Sequence, residues 1–179
     1  MRFHRFFVTA PQCVPARASF MSGRSPVAIR MIRFTSPLPS EVVTFPELLR
    51  SRAGYFTGVG GRSYHLDGPS RTRPEISAVL AAHHLRTFSN RVDRLAVGSD
   101  EEAVVQLQRF LDQCPHDRPW FFWLNFSDPH HPWTAPANLR PDPGALNVPP
   151  YLPDLPAVRE ELADYCAEVN RLDASVGRA

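Results

Sequence analysis

Cys13-Val14-Pro15-Ala16-Arg17-Ala18-Ser19-Phe20-Met21-Ser22-Gly23-Arg24 decides how the rest of this chain is read. Pro15 fits a first helical turn, where its missing N–H has no intrahelical partner. Gly23 suits the helix C-terminus. Upstream, Phe3, Phe6, Phe7 and Val8 read as a buried apolar strand. Cys13 is then expected where a strand hands over to a helix N-terminus. There the helix dipole and Arg17, four residues on, both favour an anion. Such a place either activates a thiolate or holds a bound oxyanion.

Working outward, Thr44-Phe45-Pro46-Glu47 predicts a capped helix that Gly54 ends, followed by a short strand over Tyr55–Val59. Ser99-Asp100-Glu101-Glu102 predicts a second capped helix, with Val104, Val105, Leu107, Phe110 and Leu111 inward, stopping before Pro115. Trp120–Phe126 is a nearly continuous apolar run, as expected of a strand buried on both faces. A proline-rich loop follows to about Pro153. Val158, Leu162, Tyr165, Val169, Leu172 and Val176 then recur at three- and four-residue steps, one face of a long amphipathic helix. Strands alternating with helices predict an α/β layer fold with its chemistry in loops beyond strand C-terminal ends. Three such loops are expected to converge, bearing Cys13, then Arg62 and His65, then His130.

Composition bounds the function. The 179 residues suffice for one domain with a core. No apolar stretch approaches the roughly 18–20 residues of a membrane helix, and no signal peptide is legible, so the expectation is no membrane association and a cytoplasmic location by default. Cys13, Cys114 and Cys166 are too few and scattered for a disulfide framework. All basic residues are arginine. Residues 1–74 hold eleven of them against Glu41, Glu47 and Asp67, whereas the remainder is net acidic. Arginine's planar fork suits sulfate, phosphate or carboxylate. The arginines are dispersed rather than gathered in one tract, which argues against nucleic acid.

Cys13 with a histidine base is the arrangement of a cysteine hydrolase, although no histidine is marked as its partner. A zinc site lacks the necessary spacing. His83-His84 reads as surface or packing. Gly54–His65 carries glycines just after a strand, with Arg62 and His65 at once beyond.

Together these stretches resemble the formylglycine-dependent sulfatases of the alkaline-phosphatase-like superfamily. The signature Cys-x-Pro-Ser/Ala-Arg, then Thr/Ser-Gly-Arg, is matched by Cys13, Pro15, Ala16, Arg17, Ser22, Gly23 and Arg24. The second signature, Gly-Tyr-x-Thr-x-x-x-Gly-Lys-x-His, is matched by Gly54, Tyr55, Thr57 and Gly61. Arg62 stands at the lysine, and His65 lies one residue late, leaving Tyr64 as a competitor for its place. An apolar strand leading to Asp-Pro-His is matched by Trp120 to His130. Tyr151-Leu152-Pro153-Asp154 and the helix after it resemble the branch that includes heparan N-sulfatase.

The resemblance implies a partial sulfatase N-terminal catalytic domain over 1–179, with a mixed, mostly parallel sheet flanked by helices. It implies hydrolysis of a sulfate ester or sulfamate, on a sulfated small molecule or carbohydrate. A separate maturation enzyme would oxidise Cys13 to formylglycine, whose hydrate is the nucleophile and also a ligand of a divalent cation, usually calcium. Arg17 would hold the hydrate oxygen, Arg62 the sulfate oxygens, and His65 the hydrate or sulfate. His130 would be the acid for the leaving group. The family's aspartate ligands are not matched here, because Asp67, Asp128 and Asp173 stand at other positions. The expectation is a domain lacking both ends. Two further readings follow: a non-catalytic remnant, or a phosphonate or phosphate ester hydrolase of the same superfamily.

Overall fold

The computed structural model describes residues 3–34, 37–62, 65–67, 74–84 and 88–179. Five helices and three strands are formed there: α1 (Cys13–Ser22), α2 (Phe45–Ala53), β1 (Phe56–Gly61), α3 (Pro74–Ala82), β2 (Arg94–Leu95), α4 (Asp100–Gln113), β3 (Trp120–Asn125) and α5 (Pro156–Val176). The strands form one parallel sheet in the order β2-β1-β3. The class is α/β, as the sequence implies.

The helix boundaries follow from their caps. Gly23 and Gly54 close α1 and α2 in the left-handed conformation, at φ 65° and 70°. Thr44 with Glu47, and Ser99 with Glu102, form the two expected capping boxes.

β1 is the axis of the core. Every residue from Phe56 to Gly61 is buried. On one face Val59 joins Val14, Ala18 and Met21 of α1, with Ile29, Met31, Leu38 and Phe88. On the other, Gly58 and Gly60 leave room for rings. A Cβ on Gly58 would stand 2.7 Å from Phe110, and one on Gly60 would stand 2.4 Å from Phe122. Phe110 therefore stacks on Phe56, centroids 4.9 Å apart, and fixes α4 against the sheet.

A buried polar knot holds the loop before α2. Arg91 is 1% exposed and donates to Glu47 Oε2 at 3.0 Å, to Pro39 O at 3.0 Å and to Val42 O. Glu47 also accepts from Thr44 N at 2.8 Å and Thr44 Oγ1 at 2.9 Å. Burial alone raises the Glu47 pKa, but the Thr44 bonds and Arg91 outweigh it and hold the carboxyl below its ordinary value.

Four expectations need correction. Residues 3–12 form no strand: Phe3, Phe6, Phe7 and Val8 are 65–83% exposed. No described strand pairs with that run, and an extended segment without a ladder buries neither backbone nor rings. β3 is only half-buried and Trp120 is 50% exposed, because β3 is an edge strand covered on one side by β1. In α4, Val105 points outward, while Ala103 and Phe110 are the buried pair. In α5 the buried stripe is Ala163, Ala167, Glu168 and Ser175, one position off the apolar face, and Tyr165, Val169 and Val176 are exposed. α5 also lies against the irregular chain around 137–145, to which Arg159 and Asn170 donate backbone-directed bonds.

Candidate functional site

Cys13 is the first residue of α1, half-buried and free of any disulfide. Gln12, which precedes it, makes no side-chain cap, and the first turn holds no acid. The positive end of the helix therefore faces the sulfur's surroundings without local neutralisation. Buried Val14, Ala18 and Met21 hold α1 on the core, and Cys13 and, one turn on, Arg17 lie half-buried on the flank beside them.

Arg17 is held from the sheet. Its Nη1 donates to Asn125 Oδ1 at 2.6 Å, and its guanidinium lies 5.5 Å from the centre of the Trp123 ring. Asn125 is 4% exposed, and its amide nitrogen donates to Gly60 O and Trp123 O, both at 3.3 Å. That bonding fixes which amide atom faces Arg17. Burial lowers the Arg17 pKa from its usual value; charge on Cys13 opposes that shift, and the positive charge of Arg62 adds to it. Cys13, Arg17 and Arg62 thus share one electrostatic neighbourhood.

Arg62 reaches that neighbourhood through the strand ends. Gly61 and Asn125 are opposed in register, and Arg62 N donates to Asn125 O at 3.0 Å. Gly61 has φ 83°, and a Cβ there would lie 1.8 Å from Asn125 O, so only glycine permits this closure. Gln106 of α4 accepts from Gly61 N at 2.6 Å and completes the turn.

The histidines lie at the ends of the two loops. His65 is half-buried, at φ 60°, with its ring edge-on to Phe34 at 6.0 Å. Tyr64, its competitor for the second-signature position, is outside the described residues. His130 is exposed in the turn beyond β3, its Nδ1 against His131 O. Ser127 N, at the start of that turn, donates to Asp100 Oδ1 at 2.6 Å. The structure therefore gathers Cys13, Arg17 and Arg62, and sets His130 on an adjoining loop beyond a strand C-terminal end. His83 and His84 are exposed at the end of α3, as expected of surface residues.

Asn125 is the residue that sequence reading missed. It ends an apolar run, and a lone amide at the C-terminal end of a buried strand was the available signal.

A divalent cation at Cys13 is not fitted by these residues. The residue one turn along from it is Arg17, a cation, the Asn125 amide oxygen is taken by that arginine, and among the described residues no three His, Cys, Asp or Glu side chains gather. Calcium requires six or more oxygens.

A family model described as Sulfatase matches residues 1–179. The chain belongs to the sulfatase family. It is 40% identical over 166 residues to the choline-sulfatase of Rhizobium meliloti, covering 75% of this chain and 32% of that protein. It is 27% identical to the human N-sulphoglucosamine sulphohydrolase, covering 98% of this chain and 38% of that one. The chain thus spans about a third of the length of these curated relatives. A solved phosphonate monoester hydrolase from Silicibacter pomeroyi shares the fold, with a TM-score of 0.58 and 18% identity over 94% of this chain and 49% of that one. Among the described residues no helix is long and apolar enough to cross a membrane.

Proposed function

We propose that residues 1–179 are part of the catalytic domain of a sulfuric ester or sulfamate hydrolase and carry its nucleophile position. The observation that carries this reading is Arg17, one helical turn from Cys13, bonded to the side chain of the same Asn125 whose backbone carbonyl accepts from Arg62 N. Cys13 is the residue a maturation enzyme would convert to formylglycine. An unpaired, partly exposed cysteine at a helix N-terminus fits that modification. The aldehyde, once present, supplies a hydrate hydroxyl as the attacking group.

The other residues act on charge and protons. Arg17 sits one turn from the nucleophile and stabilises negative charge developing on its oxygen. Arg62 takes sulfate oxygens; it keeps the positive charge of lysine but offers a planar fork with a different reach. His130, exposed at the loop tip, donates the proton that the departing alcohol or amine requires. His65 contacts the sulfate or the nucleophile. The names of the relatives support a sulfated small molecule or sugar as substrate.

The shared fold with a phosphonate monoester hydrolase favours a second reading, in which the ester is a phosphonate or phosphate. Turnover of an aryl sulfate, a sulfamate and an aryl phosphonate by protein co-expressed with a maturation enzyme separates the two. Sulfate or sulfamate turnover above a Cys13→Ala control supports the first reading; turnover of the phosphonate alone supports the second.

A further inference from the structure

The loop that carries His130 is held at both ends by one helix. At its start, Asp128 is 8% exposed and takes a bidentate fork from Arg171 of α5, with Nε and Nη2 each 2.7 Å from a carboxylate oxygen. At its end, Glu168 accepts from Thr134 N and from Ala135 N, the latter at 2.6 Å. Glu168 is fully buried. Arg171 joins the two halves, since the same Nη2 also meets Glu168 Oε2 and, at 3.0 Å, Thr134 Oγ1.

Packing alone does not call for this. The neighbouring buried positions of α5 are Ala163 and Ala167, and an apolar residue at 168 would avoid the cost of desolvating a carboxylate. What the charges provide is direction. The Glu168 carboxylate satisfies the backbone N–H groups of Thr134 and Ala135, where the chain leaves the proline-interrupted loop Asp128-Pro129-His130-His131-Pro132-Trp133. A salt bridge and two backbone bonds fix the loop ends against a rigid helix, so the tip between them has few arrangements. The Asp128 carboxyl lies below its ordinary value, chiefly through its bonds from Arg171, and so remains charged and clamped across neutral pH.

We propose that Glu168 and Arg171 are positioning residues for His130, clamping both ends of its loop so that the imidazole stands where a leaving group departs. This rests on the reading of His130 as the leaving-group acid. Neither residue touches substrate; both act through the loop.

The test is NMR relaxation of the His130 ring in the full chain labelled on histidine, for wild type, Arg171→Met, Asp128→Asn and Glu168→Gln. The wild-type ring should relax like the ordered backbone, with an order parameter near 0.85, and fall below about 0.6 in Arg171→Met and Asp128→Asn. Glu168→Gln keeps an acceptor for Thr134 and Ala135 and should fall between. His83, His84 and His116 report on the rest of the fold and should not change. An unaltered His130 in the folded variants overturns the proposal, as does loss of cooperative folding in all three, which assigns the network to the fold alone. A second arm separates this from the acid role. On matured protein, His130→Ala should lose turnover most steeply on sulfates of weakly acidic alcohols, with Arg171→Met following the same trend to a smaller degree. A flat His130→Ala profile removes the acid role while the relaxation result stands; a steep one with a flat Arg171→Met profile removes the functional consequence of the clamp.

Discussion

Arg17 shows how one residue links sequence to site. Its place one turn beyond Cys13 was legible from the spacing alone, and the helix cap at Gly23 fixed the register of that turn. Its partner was not legible, because the contact spans 108 residues and ends on an amide hidden in an aromatic run. Asn125→Leu should leave the core filled but release the guanidinium. Misplacement of a catalytic group by about 1 Å costs on the order of 100-fold in rate, so kcat of matured protein should fall by about that factor. An unchanged kcat would mean that Arg17 is oriented by Trp123 alone. Arg91 makes the complementary point. A single arginine after Phe88-Ser89-Asn90 carries no periodic or motif signal, yet it is 1% exposed and holds Glu47 and the loop carbonyls of Leu38, Pro39 and Val42. Arg91→Met removes one charge of the buried Arg91–Glu47 pair, a loss of about 3–5 kcal/mol for a broken buried pair. Denaturant unfolding measures it, and a change under about 1 kcal/mol would contradict the burial argument.

Elements were read correctly where the sequence writes local chemistry and incorrectly where neighbours decide. Both capping boxes and both glycine stops form as expected, because each is closed within five residues. The run Phe3–Val8 and the strand Trp120–Asn125 have similar apolar character, but among the described residues only the second has a strand partner, β1. Hydrophobicity cannot report whether a ladder exists. The face of α5 was misassigned as well. The small residues Ala163 and Ala167 are its buried positions, while Val158, Leu162 and Leu172 are half-buried and Tyr165, Val169 and Val176 are exposed. The element most sensitive to substitution is the end of β1. Gly61→Ala places a methyl 1.8 Å from Asn125 O at a backbone angle that alanine avoids. It should destabilise by at least about 2 kcal/mol and also weaken Arg62 N to Asn125 O. A thermal melt like that of wild type would show that the strand ends do not close as described.

At the scale of the whole molecule, the expected α/β fold forms, and Arg62 and His130 stand just beyond the C-terminal ends of β1 and β3. Cys13 does not follow a strand, because the segment before it forms none. The two best-held carboxyls set the pH response. Burial raises the Glu47 pKa, but its bonds from Thr44 and Arg91 bring the net below the ordinary value; bonds from Arg171 lead the lowering at Asp128. A depressed carboxyl contributes stability that is fully present above its unfolded pKa, about 4, and is lost as pH falls through the folded value. Denaturation midpoints should therefore be flat with respect to these two groups from neutral pH down to about 5 and fall steeply below about 4. Arg171→Met should lessen the acid slope, and an unchanged slope would show that Asp128 contributes nothing to it. The measurement that tests the central claim most directly is sulfate release from an aryl sulfate by protein co-expressed with a formylglycine-generating enzyme, with the Cys13 peptide followed by mass spectrometry. The account predicts release that rises with conversion of Cys13 to the aldehyde and vanishes in Cys13→Ala. Release by the unconverted thiol, or none above Cys13→Ala despite full conversion, would contradict it.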